Sequence, residues 1–171
     1  LDEVGRVICR RPTAYVLELD ITSYFDTIVR EQLMEMVEKR ISDASILRLL
    51  RKWINVGVID EGRLLVSETG TGQGQIISPL LANVYLHYVL DEWFENEVKP
   101  RLKGQAFETR YADDGLLCFE RREDAERVLA VLPKRFAKFG LTLHPEKTRL
   151  MHFGRLALEK AERDGAKPET F

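Results

Sequence analysis

Cysteine is scarce in this chain of 171 residues: Cys9 and Cys118 are the only two, both among apolar neighbours and without CxxC spacing. That argues against a disulfide framework and for two buried thiols in a reducing compartment, neither with a chemical role. The chain also lacks a charged leader followed by an apolar stretch, and it has no apolar run long enough to span a bilayer. A cytoplasmic protein, of a bacterial cell, with no membrane partner is expected. An excess of positive charge is missing too. Lys and Arg total 26 against 28 Asp and Glu, a formal net charge of -2, so binding of nucleic acid cannot be argued from bulk charge and must come from particular sites. No internal repeat or low-complexity tract breaks the chain. What is present is 44% apolar residues, enough for one sizeable core. One domain over residues 1–155 is expected, followed by a polar tail at 156–171. Leu1 in place of a methionine, and the KPETF end, suggest a piece of a longer protein.

AYVLELDI, Ala14 to Ile21, is rich in strand formers and predicts a strand with Asp20 at its C-terminal end. From Thr27 the spacing of Ile28, Leu33, Val37 and Ile41 predicts a helix with Asp26 as its N-cap. A second helix from about Ser42 would bury Ile46, Leu47, Leu50, Trp53 and Ile54. Gly57 and Asp60-Glu61-Gly62 read as turns, and RLLVSE as an edge strand. TGTGQGQIISP, Thr69 to Pro79, is a glycine loop ending in a helix start with Ser78 at the N-cap and Pro79 at the first helical position. Leu81, Val84, Tyr85, Tyr88, Val89 and Trp93 give that helix one inward face as far as Lys99-Pro100. FETRYADDGLLCFE predicts a hairpin with its aspartates at the tip. Asp124 to Phe139 predicts a helix with Val128, Leu129, Leu132 and Phe136 inward and Gly140 as its stop, kinked or split at Pro133. LTL, the turn HPEK and RLMHF predict a second small strand pair. The sum is an α+β layer in which helices cover one face of a mainly antiparallel sheet.

Asp113 and Asp114 can be read in two ways. Asp and Gly are ordinary turn residues, so a solvated hairpin tip accounts for them. Two adjacent carboxylates also repel unless a cation or proton intervenes, and Asp20 ends another strand that can converge on the same sheet edge. Three carboxylates form a hard, oxygen-only donor set suited to Mg2+ or Mn2+ rather than zinc. Two such ions can assist an in-line displacement at phosphorus, the chemistry of nucleotidyl transfer.

Tyr111-Ala112-Asp113-Asp114 resembles the YADD box of reverse transcriptases, and three further blocks stand in the family's order. LDITSYFD, Leu19 to Asp26, is similar to the block carrying the first catalytic aspartate. GTGQGQIISPLLANVYL is similar to the glutamine-glycine loop, and GLTLHPEKT, Gly140 to Thr148, to the block after YADD. The resemblance is to group II intron-encoded and similar bacterial retroelement enzymes. It implies a polymerase palm, a ferredoxin-like antiparallel sheet covered by helices, acting as an RNA-directed DNA polymerase. It further implies that Asp20, Asp113 and Asp114 hold two Mg2+ ions, with Mn2+ able to substitute and the Ile21 main-chain carbonyl as a further ligand. Phe25 matches the aromatic under the nucleotide sugar, whose ring would collide with a 2'-OH and select dNTP over NTP; alone, it equally fits a core aromatic. Gln73 and Gly74 match the loop lining the nucleotide pocket, and Lys147 matches a lysine of the last block, while each also fits an ordinary turn. The implied partners are an RNA template, including intron RNA, a DNA primer and dNTP.

Two departures stand out. Intron relatives usually read Pro-Gln-Gly-Gly in the loop, whereas Gly72 and Gln75 take the first and last places here, which loosens and crowds the pocket. Pro133 lies in a covering helix away from the carboxylates. The family's preceding fingers blocks, its primer grip and its thumb have no counterpart in the sequence, so weak or no primer extension by the chain alone is expected. Exposed core surface left by those parts makes self-association an expectation. An RNA-binding maturase, or a domesticated scaffold that keeps the fold without the chemistry, is the alternative.

Overall fold

The computed structural model describes residues 13–55, 58–60, 63–65, 70 and 77–152, with backbone alone at 58–60 and 63–65. The 1–155 domain boundary, the polar tail and Cys9 fall outside those residues. In chain order the elements are β1 (Tyr15–Leu19), α1 (Tyr24–Thr27), α2 (Arg30–Glu38), α3 (Ala44–Ile54), β2 (Val58–Asp60), β3 (Arg63–Leu65), α4 (Ser78–Leu86), β4 (Ala106–Tyr111), β5 (Asp114–Phe119), α5 (Arg122–Ala137) and β6 (Arg149–His152). Four strands form one antiparallel sheet in the order β4-β5-β1-β6. With α4 between β1 and β4, and α5 between β5 and β6, this is the split β-α-β arrangement of ferredoxin-like folds, as expected from the sequence.

Strand alternation divides the sheet into two faces. Leu17, Leu19, Leu117 and Phe119 enter the main core beneath the helices, where Phe119 meets Phe94 edge to face with centroids 6.1 Å apart. Val16, Phe107, Cys118 and Met151 form a smaller cluster on the other face. Cys118 is fully buried there, and burial pushes its thiol up to about 12, which keeps it unreactive.

The helix after the glycine loop runs on from α4 through two π-helical stretches, His87–Asp91 and Phe94–Val98, into a 3-10 turn at Lys99–Arg101. All but one of its buried apolar residues fall in two rows of fourfold spacing, Leu81-Tyr85-Val89-Trp93 and Ala82-Leu86-Leu90-Phe94-Val98, with Tyr88 beside them. In an α-helix each fourfold step drifts by about 40° around the axis. Bonding from i to i+5 under-winds the helix and offsets that drift, so both rows stay on the core. Each fully buried residue of this size contributes about 1.5–3 kcal/mol, which outweighs the poorer hydrogen bonding of the wide turns.

Several local expectations are corrected. Asp26 does not cap a helix: it lies within α1, and the chain turns extended at Ile28 and Val29 before α2 starts. Helix α3 is capped by Asp43, which accepts from the Ser45 and Ile46 amides at 2.7 and 3.1 Å, and it buries only Leu50 and Ile54. Ile46 and Trp53 are 47% and 41% exposed, because α3 touches the body along one narrow edge. Ser78 is the first residue of α4, not its cap, and is itself buried. Arg63–Leu65 pairs with Val58–Asp60 in a separate two-stranded sheet and does not edge the main one. Pro133 neither splits nor ends α5, which is continuous from Arg122 to Ala137. RLMHF does not pair with LTL: β6 joins β1, and Leu143 makes a single bridge with Ile21.

Candidate active site at the β4–β5 turn

Register places the carboxylates. The last β1–β5 pair is Leu19 with Gly115, so Asp20 and Asp114 take the next positions on neighbouring strands at the same sheet end. By alternation both extend the row of Val16 and Glu18 on β1 and of Cys118 and Leu116 on β5, the face away from the helices. Tyr111 pairs with Asp114, which makes Ala112 and Asp113 the two-residue turn. The positive φ of this turn is at Ala112, 55°, a conformation an alanine rarely adopts without external support. Tyr111 itself is 84% exposed.

The block from Gly140 to Thr148 wraps the end of β1. His144 donates its amide to the Asp20 carbonyl at 2.8 Å, and the Thr22 amide donates to the Thr142 carbonyl at 2.9 Å. These two bonds flank the Ile21–Leu143 bridge, so the bridge itself does not consume the Ile21 carbonyl. The Thr148 hydroxyl lies 3.3 Å from the Asp20 carbonyl, and the Lys147 ammonium reaches the Asp20 carboxylate at 3.2 Å. Gly140, at φ 69°, ends α5 in the left-handed conformation expected of a helix stop.

Behind the turn lies a polar staple that sequence reasoning missed. Arg110, 12% exposed, grips Asp91 with two parallel bonds of 2.9 Å, from Nε to Oδ1 and from the terminal nitrogen to Oδ2. Its other terminal nitrogen donates to the Ala112 carbonyl at 2.6 Å and to the Asn83 side chain at 2.8 Å. Burial opposes the Asp91 charge, but the bonds and charge of Arg110 outweigh it and hold this carboxyl below the usual range. Glu108, on the same face of β4, is pushed up to about 8 by burial and by the Asp91 carboxylate beside it. Burial also raises the Tyr24 phenol; the Arg110 guanidinium pulls it down, and Tyr85 and Asp113 add to the rise. The Tyr24 hydroxyl donates to the Ala82 carbonyl, tying the LDITSYFD block to α4.

Phe25 is half-buried against the core, its ring 5.5 Å from that of Tyr24. Gln73 and Gly74 lie outside the described residues, but Gly70 at the start of their loop does not. Its φ is 84°, and a Cβ there would meet the Phe25 carbonyl oxygen at 2.8 Å and the Asp26 Cα at 2.9 Å. The Gly70 amide donates to the Ile28 carbonyl at 2.9 Å, and buried Arg30 donates to the Gly70 carbonyl at 2.7 Å. The glycine loop is therefore pinned where it leaves the Phe25 segment. The number of glycines in TGTGQGQ was the visible hint; which one is pinned was not.

Among the described residues no three His, Cys, Asp or Glu side chains are gathered in a metal-binding group. Asp20 and Asp114 nonetheless share a sheet end with Asp113 next in the chain, all hard oxygen donors. The cation at Asp20 is the ammonium of Lys147, whose side chain is 63% exposed and free to withdraw. In donor chemistry the three carboxylates suit a divalent ion.

The model of the family described as reverse transcriptase (RNA-dependent DNA polymerase) matches residues 8–170. Protein YkfC of Escherichia coli is 33% identical over 81% of this chain and 43% of its own length. An uncharacterised 91 kDa protein in the cob intron of Schizosaccharomyces pombe is 42% identical over 47% of this chain and 10% of its own. The group II intron-encoded protein LtrA of Lactococcus lactis is 36% identical over 43% of this chain and 12% of its own. The chain thus spans less than half the length of these relatives. Among solved structures, apo telomerase of Candida tropicalis superposes with a TM-score of 0.73 at 14% identity, over 92% of this chain and 34% of the telomerase. A Candida albicans telomerase solved with a fragment of telomeric RNA gives 0.64 at 16% identity, over 90% and 29%. These likenesses show the palm-type fold. Among the described residues no helix is long and apolar enough to cross a membrane.

Proposed function

The chain belongs to the reverse transcriptase (RNA-dependent DNA polymerase) family, and from that premise we propose that it is the palm of an RNA-directed DNA polymerase of a group II intron-like retroelement. The observation that carries the proposal is the register setting Asp20 beside Asp114, with Asp113 in the turn between β4 and β5. The reaction joins the 3'-oxygen of a DNA primer, paired to an RNA template, to the α-phosphorus of a dNTP, with the bond to pyrophosphate breaking. Asp20, Asp113, Asp114 and the Ile21 carbonyl would hold two Mg2+ ions, for which Mn2+ can substitute, and when bound these supply positive charge to the attacking hydroxyl and the leaving pyrophosphate.

The chain's own groups do the positioning. Lys147, within reach of Asp20 and largely exposed, can turn its ammonium to phosphate oxygens of the nucleotide. The Phe25 ring packs against Tyr24, and the Gly70 backbone passes so close to the Phe25 carbonyl that a Cβ would not fit, a setting suited to a ring that excludes a 2'-OH. From the resemblance, Gln73 and Gly74 would line the nucleotide pocket. The exposed Ile46, Leu49 and Trp53 on α3 support self-association of the chain by itself. The second reading, a maturase or scaffold that binds RNA without chemistry, draws on the Asp20–Lys147 ion pair, which neutralises one carboxylate internally. Primer extension decides between them. With an RNA template, a DNA primer, dNTPs and Mg2+, the full-length protein is expected to extend the primer; no incorporation with either Mg2+ or Mn2+ would favour the scaffold.

A further inference from the structure

Arg110 is spent on contacts no solvated strand arginine needs. It is largely buried, meets Asp91 with the planar fork that carboxylates match, and sends its remaining terminal nitrogen to the carbonyl of Ala112 and the side chain of Asn83. Ala112 is the residue at φ 55°, so the acceptor belongs to the strained peptide just before Asp113. Asp91 closes a π-helical stretch, and Asn83 lies two turns earlier on the same rod. Three anchors on one rigid guanidinium thus fix the turn to a long, core-packed helix. Glu108 stands beside Asp91 on the neighbouring position of the same strand face, and its neutral form leaves Asp91 as the charged partner of the arginine.

We propose that Arg110 is the positioning residue of the site, holding the Ala112–Asp113 turn through the Ala112 carbonyl so that Asp113 stays at the sheet end shared by Asp20 and Asp114. The inference rests on the reading of the site as a polymerase centre. It adds that the geometry of Asp113 is set from the long helix that α4 begins and not by the hairpin alone. A two-residue turn with a positive φ at alanine is poorly held by its own strands, and a shift of about 1 Å in a reacting group can lower a rate by on the order of 100-fold. Lysine cannot replace the fork, because a single ammonium cannot span both Asp91 oxygens and the two further acceptors.

The test uses the full-length protein with Arg110→Lys and, as a milder variant, Asn83→Ala, whose side chain is exposed and whose loss leaves the core intact. Primer extension and Mn2+ binding, followed by electron paramagnetic resonance without substrate, are measured together. Arg110→Lys is expected to lower kcat by roughly 100-fold and weaken Mn2+ by roughly tenfold, with KM for dNTP changed by less than about twofold. Asn83→Ala is expected to move kcat and Mn2+ affinity the same way by several-fold at an unchanged Tm. Should Arg110→Lys not fold, the Asn83→Ala result alone decides. Unchanged kcat and Mn2+ binding in a folded variant would overturn the positioning role while wild-type extension still stands. Absence of extension by the wild type would instead remove the polymerase reading.

Discussion

Glu108 makes the stability of this domain fall as the medium turns alkaline. Its carboxyl has an ordinary value of 4.5 and is pushed up to about 8 in the fold, first by burial and then by the neighbouring Asp91 charge. Below pH 4.5 the group is protonated in both folded and unfolded chains and costs nothing. Between pH 4.5 and about 8 the unfolded chain releases this proton and the folded one keeps it, so stability drops by up to about 1.4 kcal/mol per pH unit. Over the whole interval the ceiling is about 5 kcal/mol, and because Glu108 is only partly buried a loss of about 2 kcal/mol is expected between pH 5 and pH 8. Glu108→Gln keeps the shape and removes the proton. Urea unfolding of both chains at pH 5, 6, 7 and 8 should show equal stability at pH 5 and a variant about 2 kcal/mol more stable at pH 8. Comparing the two chains cancels every contribution they share. Parallel pH profiles for the two would refute the reasoning.

Three further outcomes follow from single contacts. Gly70→Ala sets a Cβ 2.8 Å from a carbonyl oxygen at a φ of 84° and should cost about 2–4 kcal/mol, read as a lowered urea midpoint; a loss under about 0.5 kcal/mol would contradict the pinned loop. Asp124, 1% exposed, accepts from the Lys103 and Gly104 amides at 3.0 and 2.9 Å, so Asp124→Ala leaves two part-buried donors without this acceptor and should cost about 1–3 kcal/mol by the same measurement. Phe25→Ala in the full-length protein should raise incorporation of NTP relative to dNTP by at least about tenfold, and unchanged discrimination would return Phe25 to the core.

Elements with a clean period were legible in the sequence. The strand carrying Asp20, the hairpin around Asp113 and the helix ended by Gly140 all stand where alternation and turn residues put them. The register that sets Asp20 one step beyond the Leu19–Gly115 pair, at the sheet end of Asp114, was not, because register between distant strands is set by which faces meet the core and not by either segment alone. Helix α3 misled for a related reason: its apolar stripe is wide, yet only Leu50 and Ile54 find a neighbour to bury them. The row of Leu81, Tyr85, Val89 and Trp93 was readable as the inward face of the long helix, but the second row through Leu86 and Phe94 and the π-helical winding were not, since the under-winding answers the shape of the core. Arg110 and Asp91 carried no signal in the sequence, and their bonding appears only when the long helix crosses behind β4. Asp124 looked like a helix start and is instead the buried acceptor for a preceding turn.

The central claim is that the YADD turn and the end of β1 form one metal-dependent centre. Asp113→Asn in the full-length protein, assayed with an RNA template, a DNA primer, dNTPs and Mg2+, tests it most directly. Extension should fall by at least about 1,000-fold with the fold intact. Extension at the wild-type rate would contradict the assignment of Asp113 and, with it, the centre.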